Sequence, residues 1–60
     1  MHEFEVEKGR RVRVVPTVEF YAGQEGYITA SSIVRGEWWV EVRLDSNQVV
    51  DFRLWELFAI

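Results

Sequence analysis

Trp38-Trp39-Val40-Glu41-Val42-Arg43-Leu44 decides the fold. Trp38, Val40, Val42 and Leu44 fall on one side, and Trp39, Glu41 and Arg43 on the other. That period of two is the signature of a half-buried strand. Downstream, Asp45-Ser46-Asn47-Gln48 has turn chemistry, because Asp and Asn side chains hydrogen-bond their own backbone. Val50 and Phe52 then point inward against Val49, Asp51 and Arg53. Leu54-Trp55-Glu56-Leu57 breaks the period and predicts one helical or 3₁₀ turn, with Phe58-Ala59-Ile60 as a last short strand.

Upstream, Tyr27-Ile28-Thr29-Ala30 alternates, with Ile28 and Ala30 on one face. Ser31-Ser32 and Arg35-Gly36-Glu37 mark the hairpin connection to the central strand. Thr17 to Glu25 carries little periodicity and predicts a long structured loop. Before it, Val12 and Val14 alternate with Arg11 and Arg13, and Pro16 ends the ladder because it has no N–H to give. Phe4 and Val6 alternate with Glu3, Glu5 and Glu7 until Lys8-Gly9 interrupts. Gly9 and Gly26 stand where bends are needed. No segment holds a helical period over about eleven residues. Residues 1–60 therefore predict a single all-β domain: five short antiparallel strands curled into a small barrel, with a 3₁₀ turn before the last strand.

A chain of 60 residues buries only about 60% of the surface its unfolded form exposes. It has no cysteine, so neither disulfides nor thiolate metal sites can brace it. Stability rests on apolar packing, and the nine aromatic residues invite a core-building role. A core this small cannot hide all nine, so some must lie outside. No apolar run approaches the roughly 20 residues of a membrane helix. The Met1-His2-Glu3-Phe4-Glu5 start lacks the basic and apolar regions of a signal peptide, which predicts a cytoplasmic protein.

The chemistry for catalysis is thin. His2 is the only histidine, so no Ser-His-Asp or Cys-His constellation can be built. Glu3, Glu5 and Glu7 share one face at period two, as a solvated strand face does. Glycosidase chemistry needs a cleft that 60 residues rarely shape. Gly23-Gln24-Glu25-Gly26 is too short for a phosphate loop and precedes a strand. The sequence assigns no catalytic residue, no metal ligand and no cofactor.

Gly9-Arg10-Arg11-Val12-Arg13-Val14 and Gly23-Gln24-Glu25-Gly26-Tyr27-Ile28 carry a resemblance, joined by Trp39-Val40-Glu41-Val42-Arg43-Leu44 and Trp55-Glu56-Leu57. In these motifs, spread over Lys8 to Leu57, the chain resembles the SH3-like barrel superfamily. Two groups share the layout. One is the KOW-type modules of ribosomal proteins and transcription elongation factors. The other comprises accessory proteins of photosynthetic electron transport: the small SH3-like component of photosystem I and the variable chain of ferredoxin–thioredoxin reductase. The resemblance implies a five-stranded barrel and a binding role, against nucleic acid in the first group and as an accessory subunit of a redox or other multi-protein complex in the second.

The residues themselves point to a binding surface. Six of the seven basic groups are arginines, which favour planar and stacked contacts. Arg11, Arg13, Arg43 and Arg53 fall on outward positions. Their plainest use is cross-strand ion pairing, such as Arg43 with Asp51 or Glu41 with Arg53. Trp39 is out of phase with Trp38, and Tyr27 with Ile28, so both point away from the core. Phe20 and Tyr21 are adjacent in the long loop. Tyr21, Tyr27 and Trp39 are expected to line a shallow aromatic groove suited to an extended peptide or a stacked base. The first reading is a non-catalytic module that docks a protein partner. The second is a nucleic-acid module, opposed by a net charge of -3. Phe58-Ala59-Ile60 adds an expectation of self-association or strand docking.

Overall fold

The computed structural model describes residues 1–60. Five antiparallel strands form one sheet: β1 (Arg11–Val14), β2 (Glu25–Val34), β3 (Glu37–Leu44), β4 (Val49–Phe52) and β5 (Leu57–Ala59). Their order across the sheet is β4-β3-β2-β1-β5. A 3₁₀ turn, Leu54–Glu56, precedes β5 as the broken period predicts. The backbone N–H of Arg53 donates to the Glu56 carboxylate at 2.7 Å and closes that turn.

Inward positions alternate as the sequence requires except at two places: Ala30, expected inward with Ile28, is exposed because the register shifts before it, and Trp38 stays outside the buried cluster. Val12 and Val14 of β1, Ile28 of β2, Val40, Val42 and Leu44 of β3, Phe52 of β4 and Leu57 of β5 form one buried cluster. Phe52 and Leu57 lie on opposite edge strands yet share that cluster, so the sheet curls around its own inner face. The hydrogen-bond ladder stays open between β4 and β5.

Two hairpins have legible turn chemistry. Arg35 and Gly36 both have positive φ, +53° and +77°, the pattern of a two-residue turn that matches strand twist. Asn47, at φ +74°, takes the left-handed position between β3 and β4 at low cost.

Several local expectations are corrected. Glu3–Glu5 is a 3₁₀ turn, so the acidic residues at the start do not share a strand face. The His2 N–H donates to the Glu5 carboxylate at 2.8 Å, a local bond that wins over extension. Ser31 and Ser32 lie within β2, not in a connection. The last strand is Leu57–Ala59, one residue earlier than expected. Gly26 does not supply a bend: it is buried where β2 passes between β1 and β3, opposite Val12 and Leu44. Only Phe52 of the nine aromatics is fully buried. Aliphatic residues fill the core, and most rings are left outside.

Candidate binding face

Cross-strand register builds the outer face in rows. The first row runs from Phe58 to Arg13 to Glu25. The second runs from Ile60, whose N–H bonds the Arg11 carbonyl, through Arg11, Tyr27 and Arg43 to Val49. All five residues of the second row are exposed. Apolar groups and arginines therefore alternate across the whole width of the sheet, and no other element covers them.

Most arginines here are held by carboxylates. Arg11 grips Asp45 with both terminal nitrogens, at 2.8 and 3.0 Å. Arg13 bonds Glu25 at 2.9 and 2.8 Å. These forked contacts fix the guanidinium planes. The Arg11 guanidinium holds the Asp45 carboxyl below its ordinary range, first through the hydrogen bond. Arg43 reaches only the Asn47 side chain, at 3.5 Å.

Beyond Ile28 the register shifts. Thr29 is the extra residue of a bulge, and its hydroxyl donates to the Glu41 carboxylate at 2.7 Å. Past it, Ala30 faces Glu41, Ser32 faces Trp39 and Val34 faces Glu37. Glu41 in turn faces Asp51 of β4. The expected Arg43–Asp51 and Glu41–Arg53 pairs do not form, because Arg43 is opposite Val49 and Asp51 is opposite Glu41. Glu41 and Asp51 belong to no ion pair. With Ala30, Ser31, Ser32, Val34 and Trp39 they line an open trough of about 390 Å³.

Trp39 points outward as its phase requires, but it is not bare. The Arg53 guanidinium lies 4.4 Å from the Trp39 ring centre and 4.8 Å from that of Trp55. Arg53 also pairs with Glu37 at 3.0 Å. Its side chain is 17% exposed, and its Nε has no hydrogen-bond partner.

The expected groove divides. Tyr27 and Trp39 lie on the outer face, in different rows. Tyr21 packs instead against the core, edge-on to Phe52 at 6.0 Å between centres. Phe20 stands alone in the β1–β2 loop, 85% exposed and at φ +72°, a backbone region costly for a bulky residue. Of the arginines singled out, Arg11, Arg13 and Arg43 share adjoining rows, and Arg53 sits at the far end. Val49, Phe58 and Ile60 complete the face, although the sequence reading did not join them to the arginines. Their signal, alternation opposite the core positions, was present in the sequence.

No cluster of three or more His, Cys, Asp or Glu side chains is placed to hold a metal ion. No helix is long and apolar enough to cross a membrane. No family model, no curated protein and no solved structure matches the chain.

Proposed function

We propose that this chain is a non-catalytic binding module that docks a protein partner on the outer face of its sheet. The second row, Ile60–Arg11–Tyr27–Arg43–Val49, carries the reading. Interface centres are rich in aromatic residues and arginine and poor in lysine. This face matches that composition, and Lys8, the one lysine, lies outside it. Four of its five side chains stand on strands, and the Ile60 backbone is bonded to β1, so little backbone ordering is lost on docking.

The electrostatics favour protein over nucleic acid. Arg11, Arg13 and Arg53 already have carboxylate partners, and the net charge is -3. Phosphate binding would have to displace those partners. The glycine and valine spacing from Gly9 to Ile28 supports placing the module among SH3-like barrels that act as subunits or adaptors.

The test compares affinity capture by the wild-type chain and by a Tyr27→Ala/Arg43→Glu variant, alongside titration with single-stranded RNA from 50 to 200 mM salt. The expected result is a specific protein lost with the variant and no salt-sensitive RNA binding. RNA affinity below about micromolar that falls steeply with salt overturns the reading.

A further inference from the structure

β2 is ten residues long, but β1 pairs only with Glu25, Gly26 and Tyr27, and the Gly9–Arg10 segment bonds Ile28. From Thr29 to Val34 the strand has β3 on one side and no strand on the other. A central strand thus becomes an edge over half its length. Edges of this kind recruit extended segments through main-chain hydrogen bonds. Proteins usually blunt them with charge, proline or brevity. This stretch, Thr29-Ala30-Ser31-Ser32-Ile33-Val34, has no charge and no proline. Ile33 and Val34 are 58% and 51% exposed on it.

The face beside that edge is the trough. A like-charge pair directly opposite across strands is unfavourable, yet Glu41 and Asp51 stand that way without a cation. We propose that the Thr29–Val34 edge accepts an extended segment of a partner protein as an added strand, and that a basic side chain of this segment lies in the trough against Glu41 and Asp51. The inference rests on the protein-docking reading and names the chemistry of the partner. Neighbouring strands lie about 4.8 Å apart, so an added strand stands about 10 Å from β3. A Lys or Arg side chain and the Glu41 side chain together span that gap, and Asp51, one strand farther at about 14 Å, acts on the cation through its charge rather than by direct contact. Charge complementarity also argues against a second copy. The edges the chain offers are β4, which carries Asp51, β5, and the Thr29–Val34 stretch itself, and none of the three carries a cation.

The probe is a blocked seven-residue peptide of alternating Thr and Val with one central Arg, titrated into the ¹⁵N-labelled full chain. Amide shifts are expected at Ala30 to Val34 and at the Trp39 indole. Replacing the peptide Arg by Gln is expected to weaken binding about tenfold, the equivalent of one well-placed ionic contact. A Glu41→Gln/Asp51→Asn variant should lose that preference and still bind the Gln peptide. Because this variant relieves repulsion, its fold is expected to survive, and its spectrum checks that directly. Shifts elsewhere, no shifts, or equal affinity for both peptides overturn the proposal. So do shifts at the β2 edge that depend on protein concentration alone, which would mark a second copy as the occupant. None of these outcomes touches the outer-row reading, which fails separately if Tyr27→Ala/Arg43→Glu leaves capture unchanged.

Discussion

Gly26 precedes Tyr27 on β2, paired with Val12 of β1 and Leu44 of β3. A Cβ there would collide with the Arg43 carbonyl oxygen and stand 2.8 Å from the Leu44 Cα. Both obstacles are backbone, so no side chain can swing aside. The strands must part by about 1 Å to reach ordinary contact. Overpacking of this kind costs about 1–3 kcal/mol, and a rigid backbone neighbour places Gly26→Ala at about 2 kcal/mol or more. A domain of this size has only about 3–5 kcal/mol to lose. At about 8 °C per kcal/mol for such a short chain, the melting temperature should fall by roughly 15 °C. Thermal unfolding followed by circular dichroism measures it. Gly36→Ala is the control: a Cβ there meets open space, but φ is +77°. Its cost is set by the left-handed backbone alone, about 1 kcal/mol. If Gly26→Ala melts within a few degrees of wild type, β2 does not pass this close to β3 and the rows built on that register are wrong.

Three further outcomes follow from the outer face. Arg53→Ala should free both Trp39 and Trp55, change tryptophan fluorescence, and cost about 1–2 kcal/mol. A double-mutant cycle with Trp39→Ala should show coupling near 1 kcal/mol, and additive effects would refute the stack. Asp51→Asn should raise the melting temperature at low ionic strength, and the gain should fade in 1 M salt, as relief of repulsion requires. The Asp45 carboxyl is depressed in the folded chain. Its contribution to stability is therefore present above the unfolded pKa near 3.9 and lost as pH falls through the lower folded value. Carboxyl-detected NMR should find Asp45 titrating below the usual range, and Arg11→Gln should return it upward.

The strands were legible where one face is packed and the other wet. β3 is the clear case: burial of Val40, Val42 and Leu44 enforces the period that the sequence displays. The turn before β5 was legible because Leu54-Trp55-Glu56 breaks that period, and Glu56 bonds back to Arg53. The first residues misled, because a 3₁₀ turn closed by His2 and Glu5 has too few residues to show a period of its own. The bulge at Thr29 had no sequence signal, since Tyr27-Ile28-Thr29-Ala30 alternates smoothly. That single residue moves Ala30 to the outer face and brings Glu41 opposite it, so the trough was hidden. Aromatic residues promised a core that aliphatic residues build instead. The outward phase of Tyr27 and Trp39 was legible, whereas the approach of Arg53 to both Trp39 and Trp55 depends on contact between β3 and the turn after β4.

The most direct test places a photo-cross-linking amino acid at Tyr27 or Val49 on the exposed row, and at Thr17 in the β1–β2 loop as a control, in living cells. Irradiation should join the first two sites to the same discrete protein, leave the control unlinked, and give adducts insensitive to ribonuclease. Nucleic acid in the adduct, or labelling that does not distinguish the row from the loop, would contradict a protein-docking face.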